Sequence, residues 1–416
     1  MFSEYRGIPR QAKFLVYLSF IPNIAIGLIY TDLSYFLPTI QGLSPTLTGI
    51  TISVMGLTVL AESIPLGVLA DRYGRRKMLI IGNLCASLSL IGFALTTNFA
   101  LYIVIAILEG TGEAAYAVSV GALIAEKAGD EKRTSAFSLL AFFGWIAGAL
   151  GASVITSVTA FQSLGLDLRE GHILLYVIVG LLNLSITPVI LRVSESTKYA
   201  NQTGVLPRKS GAVLVKFLAY SVIIALGAGL FVPIMVFWFG KAYGVPDTVS
   251  GPVLGVTNLL TAGVVFMSPA LARKFGLVKA TVITQASSTI FMVLIPSSPT
   301  FAIAAGIYLV RVFLMNLSNP LTQSLIMGLV APDERGKASG ITASLWRLPN
   351  SISVVIGLTL IGEGMLDLPF YLATVLYVVG IALFWFLFKD ARLPEEVKAG
   401  QSAAQSSSVD GPAVAL

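Results

Sequence analysis

The sequence predicts an all-α membrane protein, twelve transmembrane helices in two pseudo-symmetric six-helix bundles. Three observations predict it. The 416 residues are 56% hydrophobic and only 12% charged, where a soluble protein has about 25% charged residues. Twelve apolar runs follow one another with short polar breaks, each near the roughly 20 residues a bilayer demands. The second half of the chain also repeats the first at a fixed offset of 202 residues.

The runs fall at roughly 14–38, 47–70, 78–96, 99–126, 134–160, 172–192, 213–239, 249–271, 279–296, 300–330, 337–362 and 369–388. The first is too long for a signal peptide and has no small-residue cleavage site, so it reads as a retained span. Gly and Pro recur inside the runs, as expected where neighbouring helices re-satisfy the backbone. Small residues four apart, such as Gly144 and Gly148 or Gly251 and Gly255, suit close helix packing.

The runs divide six and six about a polar linker. Residues 1–193 form the expected first bundle, 194–211 the linker with Lys198, Pro207, Arg208 and Lys209, and 212–392 the second bundle. The tail 393–416 is rich in Ala, Ser and Gly, a composition that buries too little to order itself. Asn201-Gln202-Thr203 spells a glycosylation sequon, discounted because a cytoplasmic linker never meets the enzyme.

The repeat is specific. The 202-residue shift pairs Gly49 with Gly251, Leu69 with Leu271, Ala70 with Ala272 and Gly74 with Gly276, without a gap. It goes on to pair Glu131 with Asp333, Arg133 with Arg335 and Ala136 with Ala338. One offset holding over about 90 residues is the mark of a duplicated unit.

Cations set the orientation. Arg72, Arg75, Arg76, Lys77, Lys127, Lys132, Arg133, Arg273, Lys274, Lys279, Arg335 and Lys337 fall on loops of one side, with Arg6, Arg10 and Lys13. The opposite loops carry Arg169 and Lys241. This asymmetry puts both termini in the cytoplasm, and it accounts for the net charge of +6 without a nucleic-acid partner. Cys85, the single cysteine, allows no disulfide framework, and the single histidine, His172, rules out a His-rich metal site. No phosphate-cradling Gly-x-x-x-x-Gly-Lys-Ser/Thr loop occurs, which excludes an ATP-driven pump. With one His, one Cys and no His/Asp cluster expected within the spans, the sequence offers no catalytic constellation. It is therefore not read as an enzyme, and no cofactor or metal is expected.

Six ionisable residues lie inside the runs away from their ends: Asp32, Glu62, Glu109, Glu113, Arg311 and Arg347. Each ionised group at a helix centre costs about 2.5–3.5 kcal/mol. Together they exceed the roughly 5–15 kcal/mol that holds a fold, so they must be paired, protonated or turned to a wet cavity. Glu113 follows Glu109 by one helical turn, which puts both on one face. Glu109 and Arg311 are equivalent under the 202-residue shift.

The stretch Gly67-Val68-Leu69-Ala70-Asp71-Arg72-Tyr73-Gly74-Arg75-Arg76-Lys77 lies between the second and third spans. Its pattern Gly-x-x-x-Asp-Arg-x-Gly-Arg-Arg resembles the loop signature of the major facilitator superfamily, and the resemblance extends over about residues 12–392. It implies a secondary transporter that moves a small molecule by alternating access, its helices 1, 4, 7 and 10 lining a central cavity. Glu109 and Arg311 would then face each other across the pseudo-twofold axis. Gly67, Asp71, Arg72, Gly74, Arg75 and Arg76 would form a cytoplasmic gate, with Asp71 facing the N-terminus of helix 11.

Departures from the family pattern matter. Ala106 stands where many members carry an arginine in helix 4. Gly144 to Gly151 is similar to the antiporter motif, with Ala149 in place of its proline. Asp32, Glu109, Glu113, Arg311, Asn319 and Arg347 are the expected substrate and proton site. Proton-coupled export of small hydrophobic or cationic compounds is the first expectation. Uptake of an organic anion, clamped by Arg311 and Arg347, is the alternative. A monomer in the plasma membrane completes the reading, with a small molecule, protons and the bilayer as partners.

Overall fold

A computed structural model of the chain describes residues 7–195, 209–331 and 334–391. Most of the predicted linker, its sequon and the tail lie outside the described residues. Those described form helices and connecting turns, with no strand among them.

The spans are α1 (Arg10–Ile40), α2 (Pro45–Tyr73), α3 (Arg75–Leu95), α4 (Phe99–Gly129), α5 (Glu131–Ser163) and α6 (Leu168–Ile190). The second set is α7 (Gly211–Tyr243), α8 (Asp247–Phe275), α9 (Leu277–Leu294), α10 (Phe301–Leu329), α11 (Arg335–Gly362) and α12 (Leu368–Phe388). Eleven are long and apolar enough to cross a membrane as single helices, and α8, bent by 56° between Val264 and Met267, makes the twelfth.

Local chemistry sets the boundaries. Pro45 opens α2 behind Ser44, whose hydroxyl accepts from the Leu47 N–H at 3.2 Å. Asn98 Oδ1 caps α4 through the N–H groups of Ala100 and Leu101. Asp167 and Glu170 form a reciprocal capping box at the start of α6. These side chains satisfy helix-end donors that lipid cannot.

The duplication is legible in the backbone. Gly42 and Gly244 have φ of 75° and 65°, and Gly74 and Gly276 have 110° and 75°. Each pair is 202 residues apart. The second pair turns α2 into α3 and α8 into α9 in a region of φ that side chains avoid. α8 begins and ends 202 residues after α2, and α9 and α10 begin 202 residues after α3 and α4.

The buried apolar side chains form three clusters. Two draw on residues 8–193, around Phe36, Phe93 and Tyr176 and around Leu15, Leu79 and Ile124. The third draws on residues 214–388, around Trp238, Tyr308 and Phe384.

The halves meet along a seam that is tight on one side only. Far from the Gly67–Lys77 hairpin, Thr359 donates to Thr46 Oγ1 at 3.0 Å, Ser53 to the Ser351 carbonyl, and Thr156 to the Thr248 carbonyl at 2.9 Å. Glycines permit the contact: a Cβ on Gly49 would stand 2.7 Å from Val355 Cα, and one on Gly251 2.7 Å from the Ala152 carbonyl. Towards the hairpin, the described residues of α2 beyond Gly56 make no hydrogen bond across the seam, and Gly67 faces open space. Among the described residues, the cross-seam contacts of α2 lie on the far side and thin out towards the hairpin.

Candidate functional site

Midway along the seam, Arg347 of α11 reaches into the first half. Its Nη2 pairs with Glu113 Oε1 of α4, and its Nη1 donates to the Tyr30 hydroxyl of α1 at 3.2 Å. Tyr30 in turn donates to Glu113 Oε2 at 2.6 Å. Three side chains from three helices close one ring of hydrogen bonds, the charge-assisted kind that fixes orientation. The arginine side chain is 33% exposed and the carboxylate 12%. Beside the ring lies a cavity of about 60 Å³ bordered by Tyr30, Ser34, Met55, Pro233, Asn350 and Val354.

The expected Glu109–Arg311 opposition is not formed. Glu109 is 3% exposed and accepts from the Ser89 hydroxyl of α3. It borders a narrow crevice with Asn83, Tyr116 and Glu113, so the shared face of the two glutamates holds although their partners differ. Arg311, also 3% exposed, donates to the Tyr377 hydroxyl of α12 at 2.7 Å. Its guanidinium lies 4.7 Å from the Phe231 ring centre and 5.3 Å from that of Tyr377. The 202-residue equivalence survives, but both side chains turn into their own halves rather than towards each other. Helix rotation decides this, and a single intramembrane charge does not specify it.

Asn319 is exposed on α10 and donates to Asn316 Oδ1, which is linked to Thr261 of α8 through Asn316 Nδ2, each at 2.9 Å. It does not join the Glu113–Arg347 ring. Glu62 is half-buried on α2, and its Oε2 has no hydrogen-bond partner. Phe231 and Trp238 are fully packed, with the Trp238 indole N–H donating to the Leu366 carbonyl at 3.0 Å.

Asp32 leads to a cluster the sequence did not announce. It is fully buried, accepts from the Tyr176 hydroxyl at 3.0 Å, and leaves Oδ1 without a partner. Within 4.8 Å stand ligand atoms of His172 and Asp247, both also fully buried. His172 Nε2 is 2.5 Å from Asp247 Oδ2. The expectation of no His/Asp cluster within the spans is thereby corrected. The partners are 75 residues apart in the chain, and Asp247 precedes the run predicted to begin at 249. The only available signals were the solitary histidine in an apolar run and an acidic residue after Pro246.

The Gly67–Lys77 hairpin is held within its own half. Asp71 accepts from Arg75 Nη2 at 2.9 Å, and Arg75 also approaches Glu126 of α4 at 3.5 Å. The Glu195 carboxylate, just after α6, receives the backbone N–H groups of Arg75 and Arg76 at the start of α3. An acidic group there meets the positive end of the helix dipole. Arg76 donates to the Leu191 carbonyl at 3.3 Å, and Arg72 lies over the Tyr73 ring at 5.3 Å. Sequence led us to expect Asp71 at the start of α11; its contacts are instead with Arg75 of its own turn. The side chains of Arg335 and Lys337 lie outside the described residues.

A hollow of about 740 Å³ lies between α9 and α12, and Val282, Ile290, Val378, Trp385 and Phe386 line it. It is apolar apart from Lys279 and Thr289 and Thr374, a surface suited to lipid chains.

Comparison with known proteins agrees with the architecture. The profile of the Major Facilitator Superfamily matches residues 15–354. The chain is 23% identical over 385 residues to the uncharacterized membrane protein YJR124C of Saccharomyces cerevisiae, covering 82% of this chain and 86% of that one. The nucleoside transporter NupG superposes with a TM-score of 0.72 at 15% identity, over 91% of this chain and 99% of that one. A bacterial homolog of the human lysosomal transporter Spinster, inward-facing and unoccupied, gives 0.75 at 13% identity, over 90% and 96%.

Proposed function

This chain belongs to the major facilitator superfamily and transports small molecules across a membrane, and we propose that it does so by alternating access, coupled to protons, in the direction of export. The observation that carries this reading is the Glu113–Arg347 ion pair with Tyr30 between them. Its members come from different halves, so the pair must be remade or broken whenever the halves move. A substrate that competes for either charge thereby biases the equilibrium between the two states, as a transported ligand must.

Residues 1–193 and 212–392 are the two moving bodies, and 194–211 is their tether. Glu113, Arg347 and Tyr30 contact the substrate, with Asn319 at the edge of its path. Asp32 and Glu109 are candidates for the coupling proton, and Arg311 supports the second half from within. Gly67, Asp71, Arg72, Gly74, Arg75 and Arg76 form the gate on the open side, which is cytoplasmic if the cations follow the positive-inside rule. The plasma membrane and a monomeric state complete the proposal.

Small hydrophobic or cationic compounds suit the site. Tyr30 and Arg347 border the cavity beside Met55, Pro233 and Val354, with Glu113 held behind them by both, and displacement of Arg347 by a cationic substrate leaves Glu113 paired. The alternative of anion uptake relied on Arg311 and Arg347 acting together. With Arg311 held by Tyr377, only Arg347 supports it.

Proteoliposomes with an acidic lumen test the proposal. A lipophilic cation should accumulate inside, and Glu113→Gln should abolish that accumulation. With the gradient reversed, so that the exterior is acidic, proton-driven uptake of organic anions with indifference to cations would replace export by the alternative.

A further inference from the structure

The Asp32–His172–Asp247 cluster bridges the two halves on the closed side: Asp32 and His172 come from α1 and α6, and Asp247 from the first turn of α8. We infer that His172 and Asp247 form a proton-binding site, and that this side of the transporter closes only with a proton held between them. The inference rests on the alternating-access reading.

Hydrogen-bond geometry carries the argument. His172 Nδ1 lies 2.7 Å from the Leu168 carbonyl oxygen. A carbonyl oxygen only accepts, so Nδ1 bears a hydrogen. A neutral imidazole then presents a bare lone pair at Nε2. That atom sits 2.5 Å from Asp247 Oδ2, and two lone pairs do not rest at this distance. A further proton lies between them, making either an imidazolium facing a carboxylate or an imidazole facing a carboxylic acid.

A divalent metal fits less well. Bonds of about 2.0–2.1 Å from a metal to its ligands hold neighbouring ligand atoms roughly 3 Å apart, wider than the Nε2–Oδ2 separation. The remaining contacts suit a proton. Asp247 Oδ1 accepts the Thr248 N–H at 2.8 Å, and the α8 N-terminus favours negative charge there. Phe36 stacks on His172 and on Tyr176, at 5.9 and 4.5 Å between ring centres, which keeps water out.

The other groups facing the pair are Asp32 and the phenols Tyr35 and Tyr176, with Tyr102 of α4 behind Tyr176. None is a cation, so within this cluster only a bound proton, on the imidazole or on a carboxyl, can offset the carboxylates. Two anionic carboxylates beside a neutral imidazole, wholly buried, would be prohibitively costly. Opening this side parts Asp247 from His172 and admits water. An imidazole in water gives up its proton near pH 6.5. Above that pH, closing the seam takes up one proton, so the open-to-closed ratio rises about tenfold per pH unit.

The test uses full-length protein in nanodiscs, with Cys85→Ser removing the native thiol. Spin labels at Leu164→Cys and Glu363→Cys, in exposed turns of the two halves on the far side, report their separation by electron–electron resonance. The long-distance population should grow about tenfold relative to the short one for each unit between pH 6.5 and 8.5. His172→Gln and Asp247→Asn, each able to keep a hydrogen bond without titrating, should flatten that dependence. Two populations with a pH-independent ratio, or an unchanged slope in both variants, overturns the proton site. A ratio that follows added Zn²⁺ or chelator at constant pH also overturns it, in favour of a metal. A single short distance at every pH removes alternating access itself, and the proton site with it.

Discussion

Arg311 donates to the Tyr377 hydroxyl at 2.7 Å and lies against the face of Phe231. Its Nε is buried without an acceptor, and no described carboxylate pairs with it. Arg311→Ala removes a hydrogen bond from a charged group, worth about 1.5–3 kcal/mol, and a desolvated contact with an aromatic face, worth about 2 kcal/mol. It should lower the unfolding temperature in detergent substantially. Arg311→Met, which fills the space without a buried charge, should recover most of that loss. Substrate binding per folded molecule should hold in both, in contrast to an arginine that clamps the cargo.

The pair at the seam should behave differently. Glu113→Gln and Arg347→Gln should each slow transport more than tenfold with little change in folded yield. The double variant should lose less than the two singles combined, by a coupling of about 1 kcal/mol for partly exposed groups in contact. Initial rates in proteoliposomes for the four proteins measure this term, and strict additivity would argue against a shared role.

Packing across the closed side gives a third expectation. A methyl on Gly49 meets the Val355 backbone, and one on Gly251 meets the Ala152 carbonyl; backbone atoms do not swing aside. Gly49→Ala and Gly251→Ala should therefore disfavour the closed far side. Thiol reagents supplied from that side should label the cleft faster in these variants than in the parent, whereas Gly263→Ala, which faces open space, should leave labelling unchanged.

At the hairpin, Gly74 adopts a φ of 110°. Forcing a side chain into that region costs about 1–3 kcal/mol, so Gly74→Ala should lower the melting temperature. Gly67 lies in a helix with open space around it, and Gly67→Ala should stabilise the resting protein slightly, up to about 1 kcal/mol. Differential scanning fluorimetry of the two proteins should show opposite signs.

The architecture was readable because lipid leaves little choice: an apolar run of about 20 residues must be a helix, and duplication repeats its length. Gly74 and Gly276 kept both register and conformation. Partner choice was harder, since it depends on how each helix rotates about its axis. Glu109 and Arg311 kept equivalent positions yet turned away from each other, towards Ser89 and Tyr377. Asp32 was singled out, but its neighbours His172 and Asp247 sit at span ends, where length and hydropathy give the weakest signal. The partnership of Asp71 with Arg75 was a choice between two partners, which one chain of letters does not settle.

The two hairpins were once copies, and they have parted ways chemically. Where the first has Asp71 and Arg75, the second has Arg273 and Leu277, so the clasp that holds the first turn to α4 has no counterpart after α8. Ancestry gave the molecule twin hinges, and inheritance kept the ionic fastening on one. The second turn rests on the backbone freedom of Gly276, whereas the first adds an ionic fastening to that of Gly74.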